Sequence, residues 1–318
     1  MKKFVSIVAP TFNEEENVKE LYDRVRIVMQ SEVNYDYELL IIDNNSSDKT
    51  VSILKSIAKK DKRLKVIVNS RNFGHIRSPY WGITQSSGDA TIYLASDLQN
   101  PPEFIPEFLR HWEQGSKVVL AVNSDSNDRF LYSFLRKMFY KVLDKISDVN
   151  LTRGTSGFGL YDRVVIDLVR EVNDPYPYLR GLVDEIGYQI KLIHFDLPKR
   201  KRGLSKNNFS TVYDLAMLGM VSHSKVPLRI ASFLGILIGL FSLLTGFIFL
   251  ILKILFWDNF VAGIAPFAII SFMFLGVLLI SIGILGEYVG SILTYVKNRP
   301  IVVEKERINF PNNAKNKL

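Results

Sequence analysis

The first two hundred residues alternate between short apolar runs rich in Val and Ile and longer amphipathic segments. The apolar runs predict strands at residues 5–8, 39–42, 66–68, 91–94 and 118–122. The amphipathic segments predict helices between them, at residues 15–29, 49–60, 75–86 and 102–114. Strands that alternate with helices in this way are typical of a mostly parallel sheet covered by helices. The pattern therefore predicts an α/β domain in this part of the chain.

Two long uncharged runs follow, at residues 230–252 and 261–286. Each exceeds the roughly 20 residues with which a helix crosses a bilayer. Two buried core helices are the alternative interpretation, but adjacent runs of this length are too apolar for a domain of this size. We therefore expect a hairpin of two transmembrane helices. Lys and Arg flank it on the side of both chain ends, so the positive-inside rule predicts that both ends face the cytoplasm.

These patterns divide the chain into five segments. We expect a cytosolic α/β domain over residues 1–200, a basic juxtamembrane amphipathic segment over 201–227, transmembrane helices over 228–256 and 261–290, and a cytosolic C-terminal tail over 291–318. The expected location is the inner (plasma) membrane, crossed twice, with the large domain and both termini in the cytoplasm.

Composition and charge narrow the possible functions. The 318 residues include no cysteine, which excludes a disulfide framework, a thiolate nucleophile and a cysteine-ligated zinc. The formal charge of +8 indicates an anionic partner: nucleic acid, a phosphorylated ligand or an anionic membrane surface. The densest basic cluster, residues 199–206, lies shortly before the first apolar run and has no interleaved aromatic residues. We therefore expect phosphate and membrane lipid as partners, and no nucleic acid.

Polar residues follow the predicted strands at the edge where ligands of such sheets bind. Helix capping explains some of them, but not Asp97 and Gln99, which stand two apart just beyond a buried strand. Alternating residues there would both face the cleft and offer hard oxygen ligands for Mg²⁺ or Mn²⁺. Such an ion commonly completes its shell with phosphate oxygens. Neither a Walker A motif nor GxGxxG occurs, which disfavours the ordinary nucleotide-binding folds.

Taken together, the motifs resemble the polyprenyl-phosphate glycosyltransferases of glycosyltransferase family 2, a group that includes dolichol-phosphate mannose synthase and bacterial undecaprenyl-phosphate (bactoprenol) sugar transferases. The resemblance covers nearly the whole chain in the right order. The matching residues are Pro10 with 13–15, Asp43 with 46–48, 71–74, 88–89, 97–99 with 101–103, 180–182, and Arg200 with Gly203, Ser205 and Lys206.

The resemblance implies a GT-A (Rossmann-like) fold and assigns residues to each ligand. The residues expected to bind the nucleotide are Pro10, Glu14, Asp43 and Asn72. The residues expected to bind the metal, Mg²⁺ or Mn²⁺, are Asp97 and Gln99. The resemblance assigns catalytic roles to Asp97, Arg200 and Lys206, and binding of the acceptor phosphate to Arg129, Arg136, Arg200, Ser205 and Lys206. The implied partners are a nucleotide sugar (a UDP-sugar first), a polyprenyl phosphate and further copies of the chain in a homo-oligomer.

The chain departs from the family pattern at four places. The usual DxD motif begins with Asp where this chain has Ala95, and the second acid of a DDGS-like turn is Asn44. The segment that reads roughly GDFRL in relatives is 156–160 here, with Gly157 in place of the acid. The position of a nearby Trp holds Glu185. These departures do not change Asp97 and Gln99, the expected metal ligands. They affect which nucleotide sugar is the expected donor and whether the chain has a catalytic base.

A phosphate acceptor tolerates the loss of a base. Its second pKa lies near 6, so it is mostly dianionic at neutral pH and attacks without deprotonation. Direct displacement on an α-linked donor gives a β-linked product, which predicts an inverting, metal-dependent transfer to polyprenyl phosphate. Two alternatives stay open: a transferase acting on a glycolipid hydroxyl, which needs a base, and a non-catalytic subunit that binds nucleotide sugar, suggested by Ala95 and Gly157.

Overall fold

The computed structural model describes residues 2–123, 152, 154–172, 174, 177–195, 226–255, 264–297 and 299–311. The strands are β1 (Lys3–Thr11), β2 (Tyr35–Asp43), β3 (Leu64–Asn69), β4 (Ala90–Tyr93), β5 (Val118–Asn123), β6 (Thr155–Asp162), β7 (Ile190–Phe195) and β8 (Glu304–Ile308). The helices are α1 (Val18–Ser31), α2 (Thr50–Lys60), α3 (Gly74–Thr84), α4 (Ile105–Glu113), α5 (Arg163–Glu171), α6 (Leu179–Ile186), α7 (Val226–Leu255) and α8 (Ile264–Val296).

The strands form one mixed sheet in the order β7-β5-β6-β4-β1-β2-β3-β8. Its centre, β4-β1-β2-β3, is parallel, whereas β6 runs antiparallel to both of its neighbours. The five strands and four helices predicted up to residue 122 are all present, with ends that differ by a few residues. The predicted α/β class is therefore confirmed, but the sheet predicted to be mostly parallel is mixed, because β6 and β8 run antiparallel to their neighbours.

Both faces of the central strands are buried under helices. On β1, Ile7 packs into the core on one face and Val8 into a separate cluster on the other. Helix α1 contributes Leu21, Val25 and Val28 at helical spacing to the Ile7 side. A strand that is covered on both faces buries successive side chains on opposite sides. This explains why β1 and β2 contain continuous apolar runs rather than an alternation of apolar and polar residues.

The carboxylate of Glu38 is buried inside this sheet and is paired there. Glu38 on β2 is 2% exposed, and its carboxylate accepts hydrogen bonds from the hydroxyls of Ser6 (2.5 Å) and Ser87 (2.7 Å). Lys65 on β3 forms an ion pair with its other oxygen at 2.5 Å. Burial alone would raise the pKa of Glu38, but the hydrogen bonds from Lys65, Ser6 and Ser87 outweigh it and hold the pKa below its ordinary value.

We expect Glu38→Gln to lower the free energy of unfolding by about 3 kcal/mol, because it leaves the Lys65 ammonium half-buried without its partner. A lowered carboxyl pKa stabilises the fold above the ordinary value of 4.5 and loses that contribution as the pH falls through the folded-state value. The stability gap between the two proteins should therefore close in acid. Thermal unfolding against pH measures it, with the exposed Asp36→Asn on the same strand as control. A gap that persists in acid would contradict this account.

The segment predicted as a C-terminal tail contributes a strand to the sheet. Residues 304–308 form β8, which pairs antiparallel with β3 and closes that edge of the sheet. The indole of Trp81 donates to Glu304 at 2.6 Å, and the guanidinium of Arg307 donates to Gln85 at 2.7 Å. The tail is thus part of the α/β domain, connected to it through α8.

Helices α7 and α8 are long, apolar and in contact with each other. Most of their described apolar side chains are exposed, including Phe241 and Leu279. Among the described residues, Phe274–Val296 is long and apolar enough to cross a membrane, and Leu228–Phe241 forms a shorter apolar helix. The predicted link between the two helices falls outside the described residues, so the two-span hairpin stays a prediction.

Candidate functional site

The candidate site lies at the carboxyl ends of β1 to β4, where four loops meet at one edge of the sheet. The register places Thr11 of β1 beside Asp43 of β2, and Asp43 beside Val68 of β3. Carboxyl ends of parallel strands share one edge, which is where such sheets bind ligands. The fold therefore brings the predicted residues Pro10, Glu14 and Asp43 to the same edge.

The loops after β1 and β2 are fastened together by hydrogen bonds. The N–H of Asn13 donates to the Ser46 hydroxyl at 2.8 Å, and the N–H of Ser47 donates to the Asn13 side chain at 2.8 Å. The N–H of Glu14 donates to the Thr50 hydroxyl at 2.9 Å. Asn13 has a φ of 53°, a left-handed conformation that Asn adopts more readily than most residues. The polar residues of both loops therefore fix the shape of this edge.

Asp43 is fully buried at the start of the second loop. Its two oxygens accept the N–H of Ser46 at 2.9 Å and the Ser46 hydroxyl at 2.5 Å. Burial raises the pKa of Asp43, and the Ser46 hydrogen bonds oppose that shift. The carboxyl is therefore used to shape the loop in this structure, and its predicted contact with a nucleotide stays a prediction.

Asn44 is the centre of an amide network that joins the ends of β2 and β3. Its side-chain oxygen accepts from the Asn69 amide at 3.0 Å and from the N–H of Phe73 at 2.9 Å. Its side-chain nitrogen donates to Asn72 at 2.8 Å and to the carbonyl of Gly74 at 3.1 Å. A carboxylate accepts but does not donate. The departure from a family acid at this position therefore has a structural reason that the sequence did not reveal.

We expect Asn44→Asp to lower the free energy of unfolding by about 1–3 kcal/mol, because it places a carboxylate against two acceptor oxygens and loses both donated bonds. The matched control is Asn45→Asp, next in sequence, at an exposed position with φ of 64° that Asp also tolerates. Thermal unfolding followed by tryptophan fluorescence compares the two. Equal stability of both variants would show that the network is dispensable.

Buried and half-buried residues alternate in the loop after β4. Ser96, Leu98 and Asn100 are buried, whereas Asp97 and Gln99 are half-buried. Ser96 donates to the carbonyl of Pro10 at 2.8 Å, which ties this loop to the end of β1. The N–H of Gln99 donates to the Asp97 carboxylate at 3.2 Å, so the two predicted metal residues are neighbours within this turn. Their role as ligands stays a prediction.

Two further features of this loop bear on a metal. Leu98 has a φ of 63°, an uncommon conformation for Leu that costs about 1–2 kcal/mol and occurs at functional sites. Within the described residues no group of three or more His, Asp or Glu side chains gathers as a metal site. One carboxylate and one amide still suit Mg²⁺ or Mn²⁺ if phosphate oxygens complete the shell. The donor set therefore fits a metal that arrives with a diphosphate.

Sequence reasoning missed a tyrosine pair beside this loop. A Cβ at Gly157 (φ of 87°) would lie 3.8 Å from the ring of Tyr93 and 3.7 Å from the hydroxyl of Tyr161. Burial raises the pKa of Tyr93 to about 12, with the charge of Arg180 lowering it and that of Asp97 raising it. Tyr93 therefore lies within electrostatic range of both charges. No motif marked the two tyrosines, because they occupy ordinary strand positions.

The remaining predicted residues divide into two groups. Asn72 is exposed at the cleft edge, where its side-chain oxygen accepts from Asn44 and from the N–H of Gly74 at 2.8 Å. Glu14 accepts from the side chain of Asn17 at 2.6 Å. The other group lies outside the described residues: Arg129, Arg136, Arg200, Ser205 and Lys206.

Comparison with known proteins identifies the family to which this chain belongs. Residues 6–169 match the profile described as Glycosyl transferase family 2, a span that covers β1 to β6 and all four loops of the candidate site. The chain belongs to glycosyltransferase family 2. It is therefore an enzyme that transfers a glycosyl group. Its mixed sheet corresponds to the GT-A-like fold that the family resemblance implied.

Relatives extend over nearly the whole of this glycosyltransferase. The uncharacterized glycosyltransferase YkcC of Bacillus subtilis is 34% identical over 308 residues, which cover 96% of this chain and 95% of that protein. The bactoprenol glucosyl transferase of Shigella phage SfII is 35% identical over 304 residues, covering 95% and 97%. Coverage this high necessarily includes both α7 and α8. They support membership of a polyprenyl-phosphate glycosyltransferase-like branch.

A weaker likeness connects the chain to a solved structure, glucosyl-3-phosphoglycerate synthase from Mycobacterium tuberculosis in complex with Mn²⁺, uridine diphosphate and glucosyl-3-phosphoglycerate. The sequence identity is 16% and the TM-score 0.43, over 69% of this chain and 78% of that chain. A likeness of this size says nothing about the ligands of this protein.

Proposed function

We propose that this glycosyltransferase moves a sugar from a nucleotide sugar to a polyprenyl phosphate at the cytosolic face of the membrane, with inversion at the anomeric carbon. The observation that carries the proposal is the 35% identity to a bactoprenol glucosyl transferase over 95% of this chain. A match of that coverage includes the α/β domain and both apolar helices, so it concerns the whole arrangement rather than a shared domain.

The donor would bind along the edge formed by the loops after β1 to β4. Pro10, Glu14, Asp43 and Asn72 would surround the nucleotide, for which a UDP-sugar is the first candidate. Asp97 and Gln99 would hold Mg²⁺ or Mn²⁺ against the diphosphate. When bound, that ion supplies positive charge to the leaving group. The residues themselves orient the diphosphate so that the anomeric carbon faces the acceptor.

The environment of Gly157 supports an acceptor that needs no base. The described side chains nearest to this position belong to Tyr93 and Tyr161. Burial raises the pKa of Tyr93 to about 12, so its hydroxyl keeps its proton at neutral pH and does not serve as a base. A dianionic phosphate attacks the anomeric carbon directly, forming a new C–O bond as the bond to the nucleoside diphosphate breaks. This disfavours a glycolipid hydroxyl as acceptor.

The lipid would approach from the membrane side. Helices α7 and α8 would insert as a hairpin in the inner (plasma) membrane, with the α/β domain and both ends in the cytoplasm. Arg129, Arg136, Arg200, Ser205 and Lys206 would receive the acceptor phosphate, with Arg200 and Lys206 neutralising charge during transfer. We also propose a homo-oligomer, because glycines in both helices, such as Gly239 and Gly276, allow close helix contacts.

The proposal is tested by nucleoside diphosphate release from detergent-purified full-length chain. UDP-, GDP- and dTDP-sugars are offered with Mg²⁺ or Mn²⁺, with and without undecaprenyl phosphate. We expect release to require both the lipid phosphate and the divalent ion, to stop on addition of EDTA and to return with excess metal. Release at the same rate without lipid phosphate, or in EDTA, would contradict the proposal.

A further inference from the structure

A second cleft borders the donor edge at the loop after β3, where α8 meets the α/β domain. It is a pocket of about 420 Å³ between the end of α8, the start of α3 and the segment that leads into β8. The residues that line it are Ser70, Arg71, Phe73, Arg77, Thr294, Lys297, Arg299, Pro300 and Val303. Nothing in the proposed transfer reaction uses these cations.

The lining of this pocket is strongly cationic. Of the described residues that line it, four carry a positive charge and none is acidic. Lys297 and Arg299 are exposed, while Arg77 is half-buried. The nearby acid Glu304 is engaged elsewhere, since it accepts from Arg307 and from the indole of Trp81. The pocket therefore presents a concentration of positive charge that suits an anion.

The pocket lies at the C-terminal end of the α8 segment that is long and apolar enough to cross a membrane. That span ends at Val296, one residue before Lys297. Val289 and Leu293 precede Lys297 at steps of four residues, so the three share one face of α8. Val289 and Leu293 are 54% and 50% exposed. An exposed apolar strip on α8 is thus followed by the cationic pocket. This order matches a phospholipid, in which apolar acyl chains are joined to an anionic headgroup.

We propose that this pocket binds the phosphate headgroup of an anionic phospholipid, with the acyl chains against the Val289 and Leu293 face of α8. The inference goes beyond the transfer reaction and depends on the proposed membrane insertion of α8. Arg77, Lys297 and Arg299 supply the charge, because Lys and Arg at a membrane surface attract anionic lipid. Arg71, stacked on Phe73 at 4.0 Å, forms the side nearest the donor loops.

The headgroup site also contacts the donor edge through one loop. Phe73 lines the pocket, and its N–H donates to Asn44 in the amide network at 2.9 Å. A lipid in the pocket would therefore rest against the loop that carries Asn72. This arrangement would hold the donor edge at a fixed distance from the bilayer surface.

The test is lipid binding by the detergent-purified full-length chain, measured by native mass spectrometry with phosphatidylglycerol or phosphatidylcholine. We expect preferential retention of phosphatidylglycerol. The triple variant R77Q/K297Q/R299Q should bind it roughly 100-fold more weakly, since each cation contributes about fivefold. The charge-conserving R77K/K297R/R299K should retain it within a few fold. The matched control K19Q/K59Q/K60Q removes three exposed charges elsewhere and should bind as the unaltered chain does.

Three results would overturn the assignment: phosphatidylglycerol binding by the Gln triple variant equal to that of the unaltered chain, equal retention of phosphatidylcholine, or displacement of phosphatidylglycerol by millimolar inorganic phosphate. The last would identify a site for a soluble phosphate rather than for a lipid. Because binding is read without any sugar donor, its failure is distinguishable from failure of the transfer reaction.

Discussion

Asp97→Asn lowers the rate of metal-dependent nucleoside diphosphate release by about 100- to 1000-fold, the range seen when one group that stabilises developing charge is removed. The reason is that Ala95 leaves this loop with a single carboxylate, so Asp97 has no acidic neighbour in the motif to replace it. Release rates measured with saturating donor and a titration of Mn²⁺ or Mg²⁺ give the result directly.

The matched control for this prediction is Asp36→Asn, an exposed carboxylate on β2 far from the loop ends. It should leave the release rate unchanged. A further variant, Ala95→Asp, adds a second carboxylate on the face that carries Asp97 and should lower the metal concentration needed for half-maximal rate. Undiminished release by Asp97→Asn would show that the diphosphate is neutralised by other groups, and the metal assignment would be wrong.

A chain that ends at Val303 loses β8 and, we expect, about 5 kcal/mol of stability or more. The Asn309 amide no longer donates to the carbonyls of Ala58 (2.7 Å) and Leu64 (2.8 Å), and Trp81 loses Glu304. The edge of β3 is left unpaired, which also favours aggregation. The melting temperature in detergent should fall by about 10 °C or more.

The control for this truncation is a chain that ends at Pro311, which keeps β8 and Asn309. Its melting temperature should match that of the full chain. If both truncated chains unfolded at the same temperature, β8 would contribute nothing to stability. The comparison also tests whether the segment after α8 belongs to the α/β domain, as its pairing with β3 indicates.

The sequence identifies the central fold because burial on both faces leaves a plain signal. Strands β1 and β2 each contain a continuous apolar run, and α1 and α2 repeat apolar residues at helical spacing. The polar residues that end these strands therefore stand out. The alternation of buried and half-buried residues around Asp97 and Gln99 follows the predicted pattern, whereas their role as metal ligands stays a prediction.

Features set by distant contacts left no such signal. β8 reads Glu-Lys-Glu-Arg-Ile, which has no apolar alternation, and its place at the sheet edge depends on polar contacts with Lys55 and Trp81. From the sequence alone, Asn44 is only a position where an acid of the family pattern is missing. In the structure its amide forms hydrogen bonds that join the ends of two strands and the start of one helix. The tyrosines around Gly157 come from β4 and β6, which are adjacent only because β6 runs antiparallel beside β4.

The most direct test of the transfer to a lipid phosphate is the chemical identity of the product. The full-length chain is incubated with a UDP-sugar panel, undecaprenyl phosphate and Mn²⁺, and the lipid fraction is analysed by mass spectrometry and nuclear magnetic resonance. We predict a polyprenyl phosphate that carries one sugar through its phosphate oxygen, with the anomeric configuration opposite to that of the donor. A sugar attached to a glycolipid hydroxyl, a retained configuration, or nucleotide-sugar binding without any product would contradict it.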